Sequence, residues 1–189
     1  MKCADLSGAK LWRANLAGAY LWHSDIHGAN LKAAVLSGAD LSYADITNSD
    51  LSRAVLSDAI LLETELRGVT LTRAKVLRAN LSNTDLRNTD LSGADFSGAD
   101  LSGVRLCGAN LESALLVGSN LTGADLSEAN LSEANMTDAI LTDSNLSNAN
   151  LIKANLVKAN LYHVWTLDDT KMHGANLSGA IRPDGTVFD

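Results

Sequence analysis

Proline is almost missing: Pro183 stands alone in 189 residues. A chain so poor in proline keeps its backbone N–H groups free to pair along its whole length. Aromatic side chains make up only 4%, too few to fill a conventional globular core. No Pro/Ser tract or charge block divides the chain, so no linker is expected and residues 1–189 read as a single domain. No apolar stretch approaches the ~20 residues a membrane span needs, and no secretory leader is expected ahead of Met1-Lys2-Cys3. The only cysteines, Cys3 and Cys107, lack metal-ligand spacing, so a cytoplasmic location is the expectation. A net charge of −7 disfavours direct binding to nucleic acid.

What is present is a repeat. The stretch LSGADFSGADLSGVRLCGANL, residues 91–111, recurs every five residues. In an α-helix five residues turn by about 500°, which puts successive leucines about 140° apart. In a strand an odd spacing sends every second leucine to the opposite face. Neither element buries Leu91, Phe96, Leu101, Leu106 and Leu111 on one side, so the chain itself must turn once per repeat.

From Ala4 to His163 there are 32 such units without interruption. Their large apolar centres run from Leu6 to Leu161; 27 are Leu, the others Ile26, Ile46, Val76, Phe96 and Met136. Two residues before each centre is a small one, mostly Ala. Between the two stands Asp or Asn in 21 of the 32 units. The small residue and the centre both point inward and fill a narrow interior, and Gly or Asn after the centre suits a turn with φ > 0. Each unit cannot bury its face alone, so the units must stack into a solenoid.

The motif A-(D/N)-L-x-x in tandem, as in Ala99-Asp100-Leu101-Ser102-Gly103 and Ala129-Asn130-Leu131-Ser132-Glu133, resembles the pentapeptide-repeat proteins, and its Leu-centred style resembles cyanobacterial members. The resemblance covers about 160 residues. It implies an all-β, right-handed, four-sided (quadrilateral) parallel β-helix with 20 residues per coil, hence eight coils over 4–163. Stacked at about 4.8 Å, they make a rod roughly 40 Å long. After Leu161 the next centres are Leu167, Met172 and Leu177, so one residue is inserted near Val164-Trp165-Thr166. Residues 164–189 are expected to form an irregular last coil and a cap that uses Trp165, Pro183 and Phe188.

Wound four units to a coil, the outward side chains fall into columns. Asp5, Asp25, Asp45, Glu65 and Asp85 form an acidic ladder on one side, which holds seven acids and three Arg (67, 87 and 105) over units 4–148. The same residues also suit the turn, and both roles stand open. The next side is basic in its first half, with Lys10, Arg13, Lys32, Arg53 and Arg73; Asn110, Asn130 and Asn150 stack there as an amide ladder. On the last two sides Tyr20, Trp22, Val35, Tyr43, Val55, Ile60, Leu62 and Leu77 point outward, all within the first four coils. A docking surface and mere surface drift both account for them. Leu6, Leu11 and Leu16 of the first coil, with Trp12, invite end-to-end pairing with a second copy.

No catalytic group is assembled. His23 and His27 lie on adjacent sides without partners at ligand spacing, so no metal is expected. Asp168-Asp169 reads as a turn pair. Cys3 and Cys107 sit about five coils apart, too far for a disulfide. The Leu/Ala interior leaves no room for a substrate or cofactor. The expectation is a non-enzymatic scaffold that binds a protein. The alternative, implied by the resemblance, is mimicry of duplex DNA, since some pentapeptide-repeat proteins bind DNA gyrase with an acidic rod. Leucine rather than Phe centres, the absence of a projecting loop and the basic side all weigh against the alternative.

Overall fold

In the computed structural model, residues 3–165 and 169–189 are described. Residues n and n + 20 pair in parallel, from Asp5↔Asp25 to Asn145↔Trp165. Each coil therefore takes 20 residues, and the rod is a right-handed, four-sided β-helix. The four sides are numbered by their first centres: Leu6 (side 1), Leu11 (side 2), Leu16 (side 3) and Leu21 (side 4). Among the described residues there is no α-helix.

Two kinds of backbone bond build every unit. From one unit to the next, the centre's C=O accepts from the N–H three residues on, as in Ala9 to Leu6 at 3.0 Å, which closes a tight turn. Between coils, Leu6 N–H donates to Asp25 C=O (2.7 Å) and Asp25 N–H donates to Ala4 C=O (2.9 Å). The turn demands φ > 0 at its third residue. That angle lies between 51° and 69° at every fifth residue from Gly8 to His163, whatever the residue type. Glycine and Asn take it readily, but Arg13, Tyr43 and Glu128 take it too, at a steric cost their Cβ atoms impose.

Asp and Asn ahead of each centre serve that turn. Asp5 Oδ1 accepts from Ser7 N–H (3.0 Å), Asp25 Oδ1 from His27 N–H (3.0 Å) and Asp45 Oδ1 from Thr47 N–H (2.9 Å). The asparagines also bond from coil to coil: Asn130 Nδ2 to Asn110 Oδ1 and Asn150 Nδ2 to Asn130 Oδ1, both at 3.0 Å. Inside, the centres from Leu21 to Leu161 and the alanines beside them form one continuous buried column. Leu6, Leu11 and Leu16 remain half-buried at its start.

The register changes where the sequence places an insertion. Asn145↔Trp165 is the last pair 20 apart, and Asn150↔Lys171, Asn155↔Asn176 and Asn160↔Ile181 are 21 apart. Leu167 and Asp168 lie outside the described residues. The far end closes by a short antiparallel pairing, Ile181↔Val187. Phe188 N–H bonds Ala180 C=O (2.8 Å), and the Arg182 guanidinium lies 4.4 Å from the centre of the Phe188 ring. Pro183 contributes its C=O to His163 N–H (3.1 Å). Trp165 departs from its expected capping role: it occupies the outward position of side 1 and is 66% exposed.

Candidate partner-binding surface

Outward residues share a column when they lie 20 apart, so the apolar ones are placed by the ladder itself. On side 3, Val35 and Val55 bridge directly and are half-buried, with Leu77 at the next corner. On side 4, Tyr20 is 68% exposed and Ile60 44%. Asp40 stands between them in the same column. Ser42 likewise separates Trp22 from Leu62 in theirs. The eight residues thus form two neighbouring groups rather than one unbroken patch, because polar residues at intermediate rungs interrupt both columns of side 4.

A histidine completes the side 4 group. His23 stacks on Tyr43, with centroids 5.0 Å apart and planes at 18°, and meets Trp22 edge-on at 4.2 Å. Trp22 and Tyr43 face each other at 6.4 Å, perpendicular. Reading apolar character alone passes over His23; its position one coil below Tyr43 is the signal that finds it. Exposed apolar side chains also occur beyond the first four coils, at Leu115, Ile140, Tyr162, Trp165 and Val187; Leu115 and Ile140 each stand without an apolar residue in the next rung of their column. Trp12 on side 2 is exposed and carries the Arg13 guanidinium 4.3 Å from its ring centre.

Charge is divided unevenly around the rod. On side 1, Asp5, Asp25, Asp45 and Glu65 bridge in sequence, but no bridge joins Glu65 to Asp85. Asp5 is held below its usual range by the hydroxyl and N–H of Ser7. For Asp45, burial opposes ionisation, but the hydroxyl and N–H of Thr47, with His27 and Arg67 nearby, outweigh it. Asp85 is held low chiefly by the Arg87 side chain, which bonds both carboxylate oxygens at 2.9 and 2.7 Å; Arg105 adds a contact at 3.3 Å.

The basic corner between sides 2 and 3 is different. Arg67, Arg78, Arg87 and Arg105 all meet a carboxylate. Among the described residues Lys32, Arg53 and Arg73 form no ion pair, though they line one groove of ≈ 560 Å³ with Ser52, Thr72 and Glu112. Arg53 and Arg73 sit one coil apart, where like charges repel by about 1 kcal/mol even in water. Val35 and Val55 begin directly beyond this corner.

His27 Nδ1 lies 2.9 Å from Thr47 Oγ1 and is tied up there. Among the described residues no cluster of His, Cys, Asp and Glu has a metal-holding arrangement. Cys3 is exposed and Cys107 partly so; both are free thiols. No helix of the described residues is long and apolar enough to cross a membrane.

The family model for pentapeptide repeats matches in eight copies, over residues 1–38, 34–73, 77–112, 106–143, 129–164 and 139–181. Among solved structures, the chain is similar to HetL, a pentapeptide repeat protein involved in heterocyst differentiation regulation from the cyanobacterium Nostoc sp. strain PCC 7120. The two are 29% identical over 100% of this chain and 93% of HetL, with a TM-score of 0.52. It is also similar to full-length QnrB1, a plasmid-mediated fluoroquinolone resistance protein, at 19% identity over 93% of this chain and 92% of that one, with a TM-score of 0.67. At that identity the likeness to QnrB1 is one of fold alone. No curated protein matches the sequence.

Proposed function

The chain belongs to the pentapeptide-repeat family, and on that premise we propose that it is a non-enzymatic scaffold whose first four coils dock a protein partner. The observation that carries this reading is the Trp22–His23–Tyr43 cluster, flanked by exposed Tyr20 and Ile60. Rigid aromatic side chains lose little entropy on binding and dominate interface energetics. The backbone ladder holds them in place before any partner arrives, which lowers the cost of association. The uncompensated cations Lys32, Arg53 and Arg73 border the Val35–Val55 strip, so the partner chemistry that fits is an apolar segment bearing acidic groups.

The test is affinity capture from the source organism with two variants. Tyr20→Ser with Tyr43→Ser is expected to lose the partner, while Leu115→Ser with Ile140→Ser keeps it. Equal capture by both variants overturns the assignment to the first four coils.

Leu6, Leu11 and Leu16, half-buried and next to Trp12, fit the same reading as a contact with the first coil of a second copy. A concentration-dependent dimer in light scattering, abolished by Leu11→Asp, is the expected result.

DNA mimicry remains the second reading, favoured by the bridged acidic rungs Asp5, Asp25, Asp45 and Glu65. Arg67, Arg87 and Arg105 neutralise the same side further along, and this weighs for the scaffold. A gyrase supercoiling assay separates the two: inhibition that is lost in Asp25→Asn with Asp45→Asn supports mimicry.

A further inference from the structure

The backbone ladder fails at one place. Between residues 63–69 and 82–90, four bonds that the repeat makes elsewhere are missing and a fifth is stretched. The N–H groups of Glu63, Leu66 and Gly68 do not reach the carbonyls of Ser82, Asp85 and Arg87, and that of Asp85 does not reach Thr64; Asp90 N–H meets Val69 C=O only loosely, within the surviving Thr70↔Asp90 bridge. Every other such rung between the second and seventh coils is complete. Leu66 is 0% exposed, so its unpaired N–H gains nothing from bulk water, an uncommon and costly state. A cleft of ≈ 410 Å³ opens there, its rim formed by Glu65, Arg67, Asp85, Arg87 and Arg105.

The opposite side stays shut at the same height. On side 3, Leu56 N–H meets Lys75 C=O and Val76 N–H meets Asp95 C=O, both at 2.7 Å. The cause lies in the small inward positions. Side 3 carries Ala at every one of them from Ala14 to Ala154. Side 1 stacks Thr84 over Thr64, and side 2 stacks Thr89 over Val69, all four buried. In no other pair of successive coils do two neighbouring columns both stack β-branched residues. Each exceeds the alanine the interior is sized for, and overpacking pushes backbones apart. One such column alone is tolerated: where Val104 stacks over Thr84 and Ala109 over Thr89, Arg105 N–H still reaches Thr84 C=O at 3.0 Å. Nor do charges pull the gap closed. Arg67 pairs with Glu65 on one lip, Arg87 and Arg105 pair with Asp85 on the other, and among the described residues no ion pair crosses.

We propose that this seam is a hinge: side 1 opens and recloses about the all-alanine side 3, so the rod is two stiff bodies joined at the fourth and fifth coils. The first body carries the apolar columns of sides 3 and 4, and the hinge sets its angle to the second. The inference stands whatever docks on that surface, since it rests on the ladder and the columns alone.

Native-state amide exchange of the full chain, read residue by residue by NMR, tests it. The amides of Leu66, Gly68 and Asp85 are expected to exchange about tenfold or more faster than their register counterparts Ile46, Gly28 and Asp45. Thr64→Ala with Thr84→Ala is expected to slow them by a similar factor and leave Leu106 unchanged. The alanines strand no acceptor, because Leu41 and Leu81 C=O keep their bonds from the N–H groups of Ala44 and residue 84. Should that variant not fold, Val69→Ala relieves the neighbouring column and serves in its place. Wild-type protection at Leu66 and Asp85 equal to that at Ile46 and Asp45 overturns the hinge, and so does unchanged exchange in the relieved variant.

Discussion

Replacing Leu101 with Ala measures how rigidly the ladder holds the interior open. Leu101 is 1% exposed, and the bridges Asn80↔Asp100↔Asn120 place it between Leu81 and Leu121 in its column. The substitution removes three carbons, worth about 2.4 kcal/mol at ~0.8 kcal/mol per buried methylene. The cavity left behind adds to that if the walls cannot move inward. Here they are pinned: Leu101 N–H is bonded to Asn120 C=O at 2.8 Å, and Ala99 and Asp100 N–H to Phe96 and Ala79 C=O at 3.0 Å each. The expected loss is therefore about 3–4 kcal/mol, in the range of substitutions whose cavities stay open. Leu11→Ala, at a half-buried centre, is expected to lose about half as much. Urea denaturation followed by circular dichroism, with the m-value monitored because stacked repeats can unfold in parts, reads both. A loss under about 1 kcal/mol at Leu101, or equal losses at the two sites, would refute the picture of walls pinned around Leu101 by the ladder.

Glu128 holds φ at 59°, so Glu128→Gly is expected to raise stability by about 0.5–1 kcal/mol, the relief of strain outweighing the added freedom of the unfolded chain; a lower melting temperature would contradict this. Asp85 has its folded pKa depressed by Arg87, so its contribution is present above the unfolded carboxylate value and is lost as pH falls through the lower folded value. Asp85→Asn should cost about 1 kcal/mol at pH 7, allowing for the half-exposed arginines, and the gap to wild type should close in acid below about pH 4; a gap independent of pH would point to packing instead. Cys3 and Cys107 should both react with a thiol reagent in the native protein, the exposed Cys3 faster; an oxidised Cys3–Cys107 pair in a monomer would be incompatible with the coils between them.

The five-residue period by itself determined that the chain turns once per unit, which residues point inward, and where the register slips, because each follows from neighbours within one unit or from a counted insertion. It also offered a turn role for the Asp and Asn ahead of each centre, which the Asp5, Asp25 and Asp45 side chains fulfil. The number of units per coil came through the resemblance, since nothing inside a pentapeptide states how many make a circuit. Tertiary structure decided the rest. Contacts between residues 20 apart placed His23 on Tyr43, set Asp40 between Tyr20 and Ile60, and left Trp165 outside the cap. The same spacing brought Thr84 over Thr64 and Thr89 over Val69. Each of these residues is acceptable in its own unit, and only stacking makes them crowd, so the opening on side 1 is a property of columns that no single repeat contains.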